Sequence, residues 1–209
     1  MNPKQFSFGS LFAGIGGFDL GLERAGMICK WQVEIDPFCR KVLEKHWPEV
    51  TRYGDIREIT GSELEPVDLI CGGFPCQDIS KANQNAAGIN GERSGLYREL
   101  IRIVRMVRPR FVLMENVAAL LSRDNGMGEV LGDLAESGYD AEWQMLSAAA
   151  FGAPHIRRRV FILCYPHGNA KPVMSLDDEA SGLQGVSEDT DGKGLEGHVR
   201  SVLEVEDEG

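Results

Sequence analysis

The sequence predicts an α/β fold on a mostly parallel sheet. Over the first 165 residues, short apolar runs alternate with helical patterns. That alternation marks strands joined by crossover helices. One run, Val67 to Cys71, reads as a central strand buried on both faces. A glycine-rich segment, FAGIGG at 12–17, lies between a strand-like run and a helical one.

The elements follow in order. Phe6 to Leu11 reads as the first strand, and Gly17 to Ala25 as a helix closed by Gly26. Ile28 to Val33 is a second strand ending at Glu34. Pro37 opens a helix to about His46, because proline suits a first helical turn. After the Val67 strand, Leu96, Leu100, Ile103, Val104 and Val107 form a helical stripe that Pro109 stops. Phe111 to Met114 is a strand, 127–137 a helix ended by Gly138, and Val160 to Cys164 a last strand. Two segments lack any period. Residues 77–95 are polar and glycine-containing, the kind of long loop that is functional or disordered. Residues 166–209 are acidic and have no aromatic residue, and they read as a largely disordered tail or linker.

The net charge of −10 is unevenly placed. Residues 166–209 carry 11 acidic and 3 basic side chains, which leaves 21 and 19 for residues 1–165. The body is therefore almost neutral and can carry local basic clusters for phosphate. Six arginines between 92 and 110 are such a cluster; a solvated helix face explains them equally well. Arg157, Arg158 and Arg159 are another. No apolar stretch approaches the roughly 20 residues of a membrane span, and the first residues lack a signal peptide's apolar core. A cytoplasmic location is expected. The five cysteines, Cys29, Cys39, Cys71, Cys76 and Cys164, show neither disulfide pairing nor a zinc spacing, so no metal is expected. Cys29, Cys71 and Cys164 lie in apolar runs and Cys39 on a helix, as small core residues do. Only Cys76 is placed for chemistry.

Cys76, in Phe74-Pro75-Cys76-Gln77, follows the Val67 strand directly. Glu115 ends the Phe111 strand. A thiol at one strand end and a carboxyl at its neighbour can attack an electron-poor ring and stabilise the product. As a plainer alternative, Cys76 is a buried thiol and Glu115 caps a helix. The turn at 12–17 can bring backbone close to a ligand, with helix N–H groups beside it. Glu34 and Asp55, in GDIREI at 54–59, add acids at the same edge, a spacing that suits an adenosine. A nicotinamide oxidoreductase shares the glycine turn but leaves Cys76 and Glu115 unexplained.

In this order the segments resemble the DNA (cytosine-5) methyltransferase family, over residues 6 to about 165. FAGIGG resembles motif I, GFPCQDIS at 73–80 motif IV, RSGLY at 93–97 motif V, MENV at 114–117 motif VI, and PHIRRR at 154–159 motif VIII. The resemblance implies a Rossmann-like S-adenosylmethionine-dependent methyltransferase fold, with helices on both faces of the sheet. It divides the chain into a cofactor-binding and catalytic domain, 1–165, and the tail. S-adenosyl-L-methionine is the implied cofactor, with Phe12, Ala13, Gly14, Gly16, Gly17, Glu34, Asp55, Ile56, Pro75 and Leu96 around it. Cys76 is the implied nucleophile, Glu115 the acid facing the ring nitrogen, and Arg157 and Arg159 the arginines facing the base and a phosphate. The implied partner is duplex DNA, whose target cytosine must leave the stack. Members of this family often serve restriction–modification systems or phages. His155 stands where glutamine is commonest in the family. No segment resembles the target-recognition domain or motifs IX and X. Three further possibilities follow: a second chain that supplies these parts, an inactive remnant, and a tRNA cytosine-5 methyltransferase.

Overall fold

The structure, a computed structural model, describes residues 5–75, 95–122, 126–168 and 197–198. Cys76, the loop expected over 77–95 (apart from Gly95) and nearly all of the expected tail lie outside these residues.

One sheet organises the described chain. Its strands are β1 Ser7–Leu11, β2 Ile28–Val33, β3 Thr51–Tyr53, β4 Leu69–Gly73, β5 Phe111–Val117, β6 Tyr139–Ser147, β7 Arg158–Pro166 and the short β8 Gly197–His198. The spatial order is β3-β2-β1-β4-β5-β7-β6-β8. The first five of these strands pair in parallel. β7 enters antiparallel between β5 and β6, and β6 pairs antiparallel with β7 and β8. The sheet is thus parallel through its first half and reverses where β7 inserts.

Helices cover both faces. These are α1 Gly17–Arg24, α2 Pro37–His46, α3 Gly95–Val107 and α4 Met127–Glu136. Tyr97, Leu100, Ile103 and Val104 of α3, with Val130 and Leu134 of α4, join Ile70, Val112, Met114 and Ile162 in the main core. On the other face, Phe18 and Leu22 of α1 pack against Phe8, Cys29 and Cys71. Asp36 caps α2, accepting from Phe38 N and Cys39 N at 2.8 Å each, and Pro37 follows at the first helical position. Gly26 (φ 86°) and Gly138 (φ 87°) take the left-handed turns that end α1 and α4.

Cys29, Cys71 and Cys164 are buried, as their apolar runs require. Three arginines of the 92–110 cluster reach neighbouring elements, while Arg98 and Arg110 are exposed. Arg102 donates to backbone carbonyls of Ile56 and Ile59, Arg105 to Ser137 Oγ, and Arg108 to Ser137 O. Arg102 and Arg108 thus serve backbone carbonyls and Arg105 a hydroxyl, which gives these three a structural role apart from phosphate.

Candidate active site

The reversal of strand order at β1 opens a crevice at the carboxyl ends of the parallel strands. Open α/β sheets bind ligands there, because consecutive connections leave β1 and β4 toward opposite faces. A cavity of about 630 Å³ occupies this position. Phe12 after β1, Glu34 after β2, Asp55 and Ile56 after β3, Pro75 after β4 and Leu96 at the start of α3 all line it. Six of the ten residues expected around a cofactor therefore meet in one cleft. Ala13, Gly14, Gly16 and Gly17 form the adjoining turn and the first residue of α1.

The turn is held from two sides. Gly14 N donates to Glu34 Oε2 at 2.7 Å, and Asp36 N donates to Glu34 Oε1 at 2.8 Å. Glu34 thereby ties the turn after β1 to the loop after β2. Each carboxylate oxygen keeps a further lone pair for a ligand. Gly16 packs against the Trp47 ring, where a Cβ would lie 2.4 Å from a ring carbon, and its φ of 88° also requires glycine. Phe12 has a φ of 52°, unusual for an aromatic residue, at the rim of the cavity.

Beneath the turn lies a polar network with no exposure at its centre. Asp19 is wholly buried in the first turn of α1. It accepts from Ser10 Oγ at 3.0 Å, Gln32 Nε2 at 2.8 Å and Cys29 Sγ at 3.5 Å. Burial holds its carboxyl above the ordinary aspartate value, against these hydrogen bonds. Gln32 Oε1 accepts in turn from Arg52 Nη1 at 3.2 Å, and that same nitrogen donates to Trp47 O at 2.6 Å.

Asp55 caps the short 3-10 turn Ile56–Glu58, accepting from Arg57 N at 3.0 Å. It also takes Arg57 Nε on both oxygens, at 2.9 and 3.0 Å. The Arg57 guanidinium holds its carboxyl below the usual range. Arg57 and Glu99 line the cavity too, and sequence reading missed both. Glu99 had a signal, since it lies three residues after Leu96 on one helix face.

A second cluster sits at the ends of β4 and β5. Glu115 pairs with Arg159 across the β5–β7 ladder, Nε to Oε1, at 2.7 Å. The other Glu115 oxygen lies over Gly73, its register partner on β4; a Cβ on Gly73 would meet Oε2 at 2.9 Å. Buried Asn116 donates to Phe74 O at 3.1 Å and fixes the segment leading to Pro75. Sequence reading assigned no role to Gly73 or Asn116. The structure thus joins Glu115 and Arg159. Arg157 stands apart, exposed, with its carbonyl accepting from Ala148 N at 3.1 Å.

A Rossmann-like methyltransferase fold is defined by this sheet order, with β7 reversed between β5 and β6 and a cleft over β1, β2 and β4. The family model for C-5 cytosine-specific DNA methylases matches residues 6–196, and the chain belongs to that family. Type II methyltransferase M2.BsuMI of Bacillus subtilis is 38% identical over 177 residues, covering 82% of this chain and 45% of the relative. Type II methyltransferase M.HhaI of Haemophilus parahaemolyticus is 35% identical over 160 residues, covering 76% and 48%. Among solved structures, a putative DNA modification methyltransferase encoded within an E. coli prophage superposes with a TM-score of 0.65 at 27% identity, covering 78% of this chain and 47% of that one. Spodoptera frugiperda DNMT2 gives 0.67 at 22% identity, covering 83% and 54%, and shows the fold alone. The chain spans about half the length of the curated relatives it matches. In those relatives the remainder belongs to the same polypeptide, so the comparisons give no support to a separate second chain. Family membership sets aside the oxidoreductase reading. Among the described residues, no helix is long and apolar enough to cross a membrane, and no acid, histidine and cysteine cluster could hold a metal.

Proposed function

We propose that this chain carries the cofactor-binding and catalytic half of an enzyme that methylates carbon 5 of cytosine in DNA, using S-adenosylmethionine and a covalent cysteine adduct. The observation that carries the proposal is the single cleft that gathers Phe12, Glu34, Asp55, Ile56, Pro75 and Leu96.

The cleft fits such a cofactor. Its volume lies within the 300–1,000 Å³ or so of small-molecule sites. Glu34 presents a carboxylate at the end of β2, where ribose hydroxyls donate. Phe12, Ile56 and Leu96 give apolar surface for a purine. The cofactor supplies one electrophilic methyl group.

The chain's own residues then act on the base. Carbon 5 of cytosine is not nucleophilic until a thiolate has added to carbon 6. Cys76 is assigned that addition, since it follows Pro75 of the cleft directly. Burial pushes the Cys29, Cys71 and Cys164 thiols far up, so none of the three supplies a thiolate near neutral pH. Glu115 is assigned the hydrogen bond to ring N3 and the exocyclic amine, which makes carbon 6 attackable. Arg159 orients that carboxyl, and Gly73 leaves room for it. After methyl transfer, loss of the carbon-5 proton and departure of the thiolate restore the ring.

Duplex DNA as substrate and a restriction–modification setting rest on the relatives, which are named Type II methyltransferases. Methyl transfer is assigned to the whole protein, because these residues span about half of such a relative. Calorimetry of the 209-residue chain tests the cofactor assignment. One-site binding of S-adenosylhomocysteine with no binding of NAD is expected; tighter binding of NAD would overturn it.

A further inference from the structure

Arg102 has no assigned role, yet it is the tie between two walls of the cleft. Its Nη1 donates to Ile59 O at 2.7 Å and its Nη2 to Ile56 O at 2.8 Å. Its Nε donates to Glu99 Oε2 at 2.6 Å. Leu96, Glu99 and Arg102 follow at intervals of three on α3 and so share one helical face. Leu96 and Glu99 line the cavity from this helix, while Asp55 and Ile56 line it from the turn after β3.

That turn cannot place itself. A three-residue 3-10 turn has few internal bonds: Glu58 N to Asp55 O at 3.1 Å, and Ile59 N to Ile56 O at 3.3 Å. Donors from outside the turn therefore help to place it: Ile56 O takes one besides Ile59 N, and Ile59 O takes one just past its end. The forked guanidinium meets both carbonyls at once, in a geometry an ammonium cannot copy. Glu99 fixes the fork by charge-assisted bonding.

We propose that Arg102 is a positioning residue, set by Glu99, that fixes the separation of the Leu96 and Ile56 walls and so the fit of the purine between them. It touches neither cofactor nor base and acts through the Ile56 and Ile59 carbonyls. The inference rests on the proposed cofactor site.

Calorimetry of the 209-residue chain with S-adenosylhomocysteine and with S-inosylhomocysteine, which replaces the 6-amino group by oxygen, tests it. Arg102→Met should weaken S-adenosylhomocysteine about tenfold, the scale of one charge-assisted bond. It should also change the ratio of the two ligands' affinities, which a merely stabilising residue would leave unchanged. Arg102→Lys should recover part of both. Arg105→Met, a change on the same helix that removes a tie to Ser137 at the end of α4, should leave both at wild type. If urea melts show that Arg102→Met does not fold, Arg102→Lys decides, with a loss above about threefold expected. An unchanged base preference in the deciding variant, or an equal loss in Arg105→Met, overturns the clamp. Wild-type protein that binds neither ligand overturns the proposed cofactor site itself.

Discussion

Glu34→Ala removes a carboxylate that serves the turn and, in the proposed function, the ribose. In the structure it accepts Gly14 N–H at 2.7 Å and Asp36 N–H at 2.8 Å. Bonds to a charged acceptor contribute about 1.5–3 kcal/mol each when shielded from water. Glu34 is half-buried, and the Asp36 bond is exposed, so the lower end applies. The fold should lose about 1–2 kcal/mol, since water can replace part of the lost bonding. Ligand binding should lose more, because the ribose bonds vanish and the turn must be re-ordered on binding. The expected weakening for S-adenosylhomocysteine is about tenfold to hundredfold, or roughly 1.4–2.8 kcal/mol. Glu34→Gln should fall between, because one amide oxygen cannot accept from both N–H groups and its NH₂ faces a donor. Calorimetry paired with urea melts separates the two effects. Affinity within about twofold of wild type for Glu34→Ala would refute the reasoning.

Further outcomes follow from the same geometry. Gly73→Ala meets only the tip of Glu115, so urea melts should change by less than about 1 kcal/mol; the whole protein's methyl transfer should nevertheless fall by tenfold or so, and unchanged turnover would separate Glu115 from the chemistry. Asp19→Ala leaves the Ser10 and Gln32 donors buried without their acceptor and should cost about 2–4 kcal/mol in urea melts, whereas Asp19→Asn can still accept from Gln32 and donate to Ser10. Because burial raises the folded pKa of Asp19 above the unfolded value of 3.8, its contribution to stability is full below that value and is lost as pH rises through the folded pKa. Asp19→Asn should therefore gain on wild type as pH rises from about 4 to 7; a gap that widens against the variant would contradict a raised pKa.

Much of this fold was legible because its signals are local. The second strand and the Pro37–His46 helix fall where apolar runs and a proline start put them. Three strands were not legible. β8 is two residues, Gly197–His198, within the segment read as a largely disordered tail or linker. β3 is three residues, Thr-Arg-Tyr, with no apolar run. β6 carries Glu142, Gln144 and Asp140 among its apolar residues, and its buried positions fade after Ala141. The central strand lies two residues later than its apolar run, over Leu69–Gly73. There Asp68 anchors Ser7, accepting from its N at 3.0 Å, and two glycines continue the ladder beside Leu11 and Glu115. The reversal of β7 depends on pairing with β5 and β6, which no local pattern encodes.

The site was legible where the residue types are chemically distinctive. Glu34, Asp55, Ile56 and Leu96 were expected in one place and line one cavity. The supporting groups were not legible, because their roles come from backbone geometry. Asn116 holds Phe74 O, Gly73 yields space to Glu115, and Arg102 spans a helix and a turn 43 residues apart in sequence. Arg102, Arg105 and Arg108 show the same limit, since their charge suggested phosphate or a solvated helix face while their geometry serves backbone carbonyls and a hydroxyl.

The most direct test of the proposed chemistry is covalent trapping. In the assembly that methylates duplex DNA, substrate carrying 5-fluorocytosine should form a stable adduct in the presence of S-adenosylmethionine, because fluorine at carbon 5 blocks the final elimination. Mass spectrometry should place that adduct on Cys76, and Cys76→Ser should abolish it while S-adenosylhomocysteine binding stays near wild type. An adduct on Cys29, Cys39, Cys71 or Cys164, or one that survives in Cys76→Ser, would contradict the account.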